Sequence, residues 1–172
     1  MRFISLFVAT LIGVMLGANL FLPNFLPHSL AQTSNFEVFY AAFSGDEVVP
    51  KVETTGGGGA GAILRGNRFR VSGTFHSLTG NLRDYATDPL VPPNPNITSA
   101  VHIHRGARDQ NGPFQYALKV TVNADKRSGS YSGEYDLTAE QLQALRSGQL
   151  YLDLHTTTNR AGELRGVFKP LS

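Results

Sequence analysis

The 172-residue sequence contains no cysteine. That excludes a disulfide framework and any thiolate metal site, so stability must come from the core and its hydrogen bonds. Runs of Lys or Arg are also missing. The formal charge is only +2 and its basic residues are scattered, which argues against nucleic acid as a partner. Gly56 to Gly59 form a run, but neither Lys-Ser/Thr nor a helical pattern follows it. A phosphate cradle is thereby set aside, and the run reads as a loop tip. Asp109 and Asn111 lack the regular acidic spacing of a calcium loop. Ser77 beside His76 has neither a nucleophile elbow nor a placed third member, so hydrolase chemistry is set aside too.

At the N-terminus, Met1-Arg2 is followed by an apolar run from Phe3 to Leu22, broken by Pro23 and Pro27. Ser29-Leu30-Ala31 puts small residues at −3 and −1 of a cleavage point. Residues 1–31 are expected to be a signal peptide cleaved after Ala31, with a periplasmic or extracellular destination. The alternative is an uncleaved leader, which would be the only route to a membrane. Without the leader the chain is 32–172, close to neutral, and of ordinary size for one domain.

Short strand patterns fill that domain. Phe36 to Phe43 is apolar and aromatic. Asp46 to Thr55 reads as extended. Gly66-Asn67 joins Ala62–Arg65 to Arg68–Phe75 in the clearest hairpin signal, with Phe69, Val71, Gly73 and Phe75 facing inward. Tyr85 to Asn96 holds four of the nine prolines and is a surface loop. Tyr116, Leu118, Val120 and Val122 alternate as one strand, and Ser130 to Tyr135 as another. One helix, about 138–147, opens with Thr138 and Gln141 placed for a capping box and ends at Gly148. Leu150–Thr156 is a further strand, and Leu164, Gly166 and Phe168 face inward on the last. The fold expected is all-β: an antiparallel immunoglobulin-like or Greek-key sandwich or barrel with one short helix.

Two strands carry the chemistry. In Ser99–Pro113, Val101 and Ile103 share one face and His102 and His104 the other. In Leu150–Thr156 the leucines take one face and Tyr151, Asp153 and His155 the other. Core burial of the apolar sets places three of the five histidines on outer faces. An imidazole there can anchor a turn rich in Gly, Asn and Arg. Two His at i and i+2, with a third from a neighbouring strand, can instead converge on copper or zinc, with Asp153 as a further ligand or a supporting partner. Glu163 and Arg165 read as an exposed ion pair, and Tyr131, Tyr135 and Tyr151 as core-edge packing.

Several of these stretches together resemble the CHRD domain, the module named for chordin and widespread in exported bacterial proteins. They are Phe43-Ser44-Gly45-Asp46-Glu47-Val48-Val49-Pro50 with Thr54-Thr55-Gly56, then His102-Ile103-His104-Arg105-Gly106, then Asn111-Gly112-Pro113. The last is Leu142–Thr156 running into Ala161-Gly162-Glu163-Leu164-Arg165-Gly166. The resemblance covers about 36–169 and implies an immunoglobulin-like barrel or sandwich. In it Arg105, Gly106, Asn111, Gly112, Gly162, Glu163, Arg165 and Gly166 are motif positions of structural use. A fainter similarity, to the copper–zinc superoxide dismutase barrel, rests on His102, His104, His155, Gly162 and Arg165. It departs from that family in having no cysteine pair and no histidine between Arg105 and Leu154, hence no bridging ligand and no zinc subsite; it is a likeness of fold only.

The expectation is a non-enzymatic, exported module with a binding or structural role toward an unidentified extracytoplasmic ligand or protein. It has no cofactor, and its histidines organise loops. The alternative is a copper or zinc protein using His102, His104 and His155, of which a dismutase-like enzyme is the one nameable catalytic form.

Overall fold

The Gly66-Asn67 turn forms as the sequence demands. Arg65 pairs directly with Arg68, and Gly66 takes the positive φ of 64° that a two-residue hairpin needs. The computed structural model describes residues 35–171, so the expected leader and its cleavage point lie outside the described residues. Ten strands follow: β1 (Glu37–Ala42), β2 (Gly57–Arg65), β3 (Arg68–His76), β4 (Val101–Arg105), β5 (Phe114–Ala117), β6 (Lys119–Val122), β7 (Gly129–Asp136), β8 (Leu150–Leu154), β9 (Leu164–Val167) and β10 (Lys169–Pro170). One helix, α1 (Ala139–Arg146), lies between β7 and β8.

The strands form two antiparallel sheets. One has the order β10-β1-β2-β3-β7-β6 and the other β5-β4-β8-β9. This is the expected all-β sandwich with one short helix. Alternation aims Phe39, Leu64, Phe69 and Phe75 of the large sheet at Ile103, Leu152, Leu154 and Leu164 of the small one, all in one buried cluster. Phe168 meets Phe69 edge-on at 5.3 Å. The helix closes the core with Leu145. Its capping box is complete: Gln141 N–H donates to Thr138 Oγ1 at 3.2 Å and Thr138 N–H donates to Gln141 Oε1 at 2.9 Å. Among the described residues no helix is long and apolar enough to cross a membrane.

Three local expectations are corrected. The glycine run is not a loop tip, because Gly57 to Gly59 open β2 and pair with β3. Missing side chains allow this: Gly58 has φ 141°, and a Cβ there would stand 2.2 Å from the Thr74 carbonyl. Second, Tyr116 to Val122 is two strands in different sheets. Leu118 is the buried pivot where the chain crosses the sandwich, and the even alternation of apolar residues conceals it. Third, the segment after Ser44 begins with a 3₁₀ turn, Gly45–Glu47, before extending.

Candidate metal centre

β4 and β8 pair so that His102 faces Asp153 and His104 faces Tyr151 across the ladder. Past the end of β8 the pairing continues, with His155 N–H donating to the Ala100 carbonyl at 2.9 Å. Val101, Ile103, Leu150, Leu152 and Leu154 all enter the core with no exposure, so strand parity placed the two faces correctly. The opposite face, however, is not a solvent face. His102 is 2 % exposed, and Tyr151 and Asp153 are buried. Cover from the loop at Tyr85 and from the start of β5 explains the difference. Tyr85 stacks on the His102 ring at 5.7 Å, and Phe114 stands edge-on to His102 and His104 at 5.5 and 6.2 Å.

The three imidazoles converge. His102 lies 5.0 Å from His155 and 5.7 Å from His104 between ring centres, and one nitrogen from each ring falls within 4.8 Å of the other two. One nitrogen of each ring bonds a backbone carbonyl. His104 Nδ1 bonds the Gly112 carbonyl at 3.0 Å and His155 Nδ1 bonds the Arg160 carbonyl at 3.0 Å. His102 Nε2 bonds the Ser99 carbonyl. A carbonyl has no proton to give, so each of these nitrogens is the donor and the lone pair sits on the other one. For His104 and His155 that other atom is Nε2, which is buried and has no hydrogen-bond partner.

Electrostatics keep the rings uncharged. Burial, reinforced by the neighbouring His155 and His104, pushes His102 down to about 3. Burial likewise lowers His104 and His155, while Asp153 pulls each back in part. Neutral imidazole is the form a metal requires. Donors at about 2.1 Å from a shared tetrahedral ion stand roughly 3.4 Å apart, against nitrogens that lie within 4.8 Å of one another here.

Behind the histidines lies a layer that the sequence reading assigned differently. Glu163 and Arg165 are both buried and do not form the expected surface pair. Arg165 Nε and Nη2 grip Asp153 at 2.7 and 2.8 Å, its Nη1 and Nη2 also reach Gln110 O and Asn111 Oδ1, and its guanidinium covers the Tyr151 ring at 4.0 Å. Asp153, considered as a supporting partner of the histidines, spends both oxygens on Arg165. Glu163 instead collects Thr54 Oγ1, Thr79 N and Oγ1, Thr156 Oγ1 and Asn159 Nδ2 at 2.7 to 3.3 Å, which ties three loops together. Among the other motif positions, Gly112 lies so close to Arg105 that a Cβ would stand 2.0 Å from its carbonyl, and Gly106 N–H donates to the Gln149 carbonyl. Gly162 takes φ 137°, Gly166 packs under Phe43, and Arg105 reaches Glu140 at the surface.

Tyr85 and Arg83 were missed. They open the proline-rich stretch that the sequence marks only as a loop, yet Arg83 covers Tyr85 at 4.7 Å as Arg165 covers Tyr151. Two arginine–tyrosine–histidine stacks therefore flank the cluster, one on each motif histidine of β4. The signal available was an aromatic at the start of a loop beside a histidine strand. His76 and Ser77 touch at 3.3 Å on the exposed surface.

Searches of curated proteins and of solved structures matched nothing. A family model does match, over residues 39–168, and it is that of the CHRD domain. The match takes in both sheets, all three histidines and the Arg165 and Glu163 networks behind them, so the chain belongs to the CHRD domain family.

Proposed function

We propose that this CHRD domain is an exported module that binds one copper or zinc ion through His102, His104 and His155. The observation that carries the reading is the pair of buried, unpartnered Nε2 atoms on His104 and His155. A buried acceptor without a partner costs about 1–3 kcal/mol, and a loop-anchoring role accounts only for the Nδ1 side of each ring. An ion turns both lone pairs into bonds. The Nδ1–carbonyl bonds are then the outer support that fixes tautomer and orientation in histidine metal sites. Nitrogen donors without a carboxylate suit copper and zinc rather than calcium or magnesium.

Export is supported by the leader pattern of residues 1–31 and by the resemblance of the domain to modules of exported proteins. The mature N-terminus, read by mass spectrometry, should begin at Gln32. Titration calorimetry on metal-free protein tests the binding. One site for Cu²⁺ or Zn²⁺ is expected, and His104→Gln should abolish it while circular dichroism shows the domain still folded. A chain that takes up neither zinc nor copper in either oxidation state, and whose variant merely melts earlier, would return the cluster to loop anchoring.

A further inference from the structure

The three donors leave the charge of an arriving ion uncompensated. All of them are imidazole nitrogens, and among the described residues no carboxylate joins the group. Nearby anions are already matched. Asp153 is gripped by Arg165, and Asp88 bridges Arg83 at 2.9 Å and Arg160 at 2.5 Å. Glu163 belongs to a separate network of threonine hydroxyls and Asn159. The surroundings are also dry and aromatic. His102 is almost fully buried, Nε2 of His104 and His155 is out of contact with solvent, and Tyr85, Phe114 and Tyr151 wall the rings.

Such a place discriminates by charge. The energy of burying an ion in a low-dielectric site scales with the square of its charge, so a divalent ion costs about four times as much as a monovalent one. Zn²⁺ or Cu²⁺ on three neutral donors would need a hydroxide or another anion to offset the remainder, and the buried nitrogens hold solvent away. Cu⁺ carries half the charge and is satisfied by three donors.

We infer that the centre holds copper in the reduced state, Cu⁺, bound by His102, His104 and His155. This rests on the metal-binding reading above. Softness is not the source of the preference, since thiolate and thioether are the ligands that select Cu⁺ on that ground. The chain has no cysteine, and its two methionines, Met1 and Met15, lie in the leader. Burial and the neutral donor set supply it instead. Loading from Cu²⁺ takes one electron per ion, Cu²⁺ + e⁻ → Cu⁺, with ascorbate as the donor in the test.

Anaerobic titration of the purified chain with Cu⁺ against bathocuproine disulfonate, and with Cu²⁺ and Zn²⁺ against a competing chelator, gives three affinities. Cu⁺ should bind at one equivalent and at least about tenfold more tightly than Cu²⁺, which places the bound couple about 59 mV or more above the aqueous one. Protein given Cu²⁺ and ascorbate should retain one copper with no paramagnetic signal. Tyr85→Ala, which opens the wall over His102, should lower the Cu⁺/Cu²⁺ ratio, while Tyr85→Phe should leave it in place. Tighter binding of Cu²⁺ or Zn²⁺ at a site that His104→Gln removes would overturn the cuprous inference and leave the metal reading intact. An unchanged ratio in Tyr85→Ala would overturn the argument from burial. Failure to bind any of the three ions would remove both readings.

Discussion

Gly112 holds His104 from two sides. Its carbonyl accepts the Nδ1 proton of His104 at 3.0 Å, and its amide donates at 2.6 Å to the hydroxyl of Tyr151. The Tyr151 ring is stacked on that same imidazole, 5.5 Å away and 9° from parallel. One backbone unit therefore selects the tautomer of the histidine and seats the aromatic that covers it. The Nδ1 bond and the free Nε2 are two ends of one device: anchoring a loop and presenting a donor do not compete for the same atom.

Gly112→Ala should weaken metal binding while leaving the domain folded. The new Cβ would stand 2.0 Å from the Arg105 carbonyl, so the backbone must move and carry the His104 acceptor with it. Loss of such an outer partner typically lowers affinity about 10–100-fold. Chelator competition on the variant reads the change. Wild-type affinity would show that the carbonyl does not orient the ring.

The inward faces of β3, β4 and β8 and the helix cap were legible because two-residue periodicity and the Thr138–Gln141 box are local signals. The burial of the histidine face was not. Its cover comes from Tyr85, Phe114 and the loops around Gly112 and Arg160, and no periodicity within β4 reports what a distant loop will lay over it. For the same reason parity suggested that Glu163 and Arg165 pair at the surface. Each instead found remote partners, Asp153 for one and the Thr54, Thr79 and Thr156 hydroxyls for the other. The crossing at Leu118 was hidden because apolar residues on both sides of it alternate without a break.

Leu152→Ala should cost about 2–5 kcal/mol of unfolding free energy, the range for a buried leucine whose cavity only partly collapses. Leu152 has no exposure and lies in the core cluster between the sheets. Urea denaturation measures it. A loss below about 1 kcal/mol would contradict the packing described for β8.

Arg165→Leu should cost more than its lost packing, because it strands the Asp153 carboxylate. Both partners are nearly inaccessible, and breaking one side of a buried pair typically costs about 3–5 kcal/mol. The double variant Asp153→Leu/Arg165→Leu removes the stranded charge and should recover part of that loss. Chemical denaturation of the two variants decides. A double variant less stable than Arg165→Leu would show that Asp153 has adequate partners without the arginine.

Glu163 gives the pH dependence its sign. Burial alone would raise its carboxyl above the ordinary value of 4.5, but the hydrogen bonds from Thr54, Thr79 and Thr156 outweigh burial and hold it below. Near and below pH 4.5 the unfolded chain therefore binds the proton more readily than the folded one. The stabilisation is fully present above that pH and is lost as the pH falls through the depressed folded value. Glu163→Gln keeps the shape and cannot ionise, so it should be less stable than wild type at pH 7, with a gap that narrows as the pH drops below 4.5. Urea midpoints for both proteins across this range supply the comparison, and the other carboxylates, common to both, drop out of the difference. A gap that stays constant from pH 7 to the acid limit would mean that the charge of Glu163 contributes nothing and that its threonine partners serve only its shape.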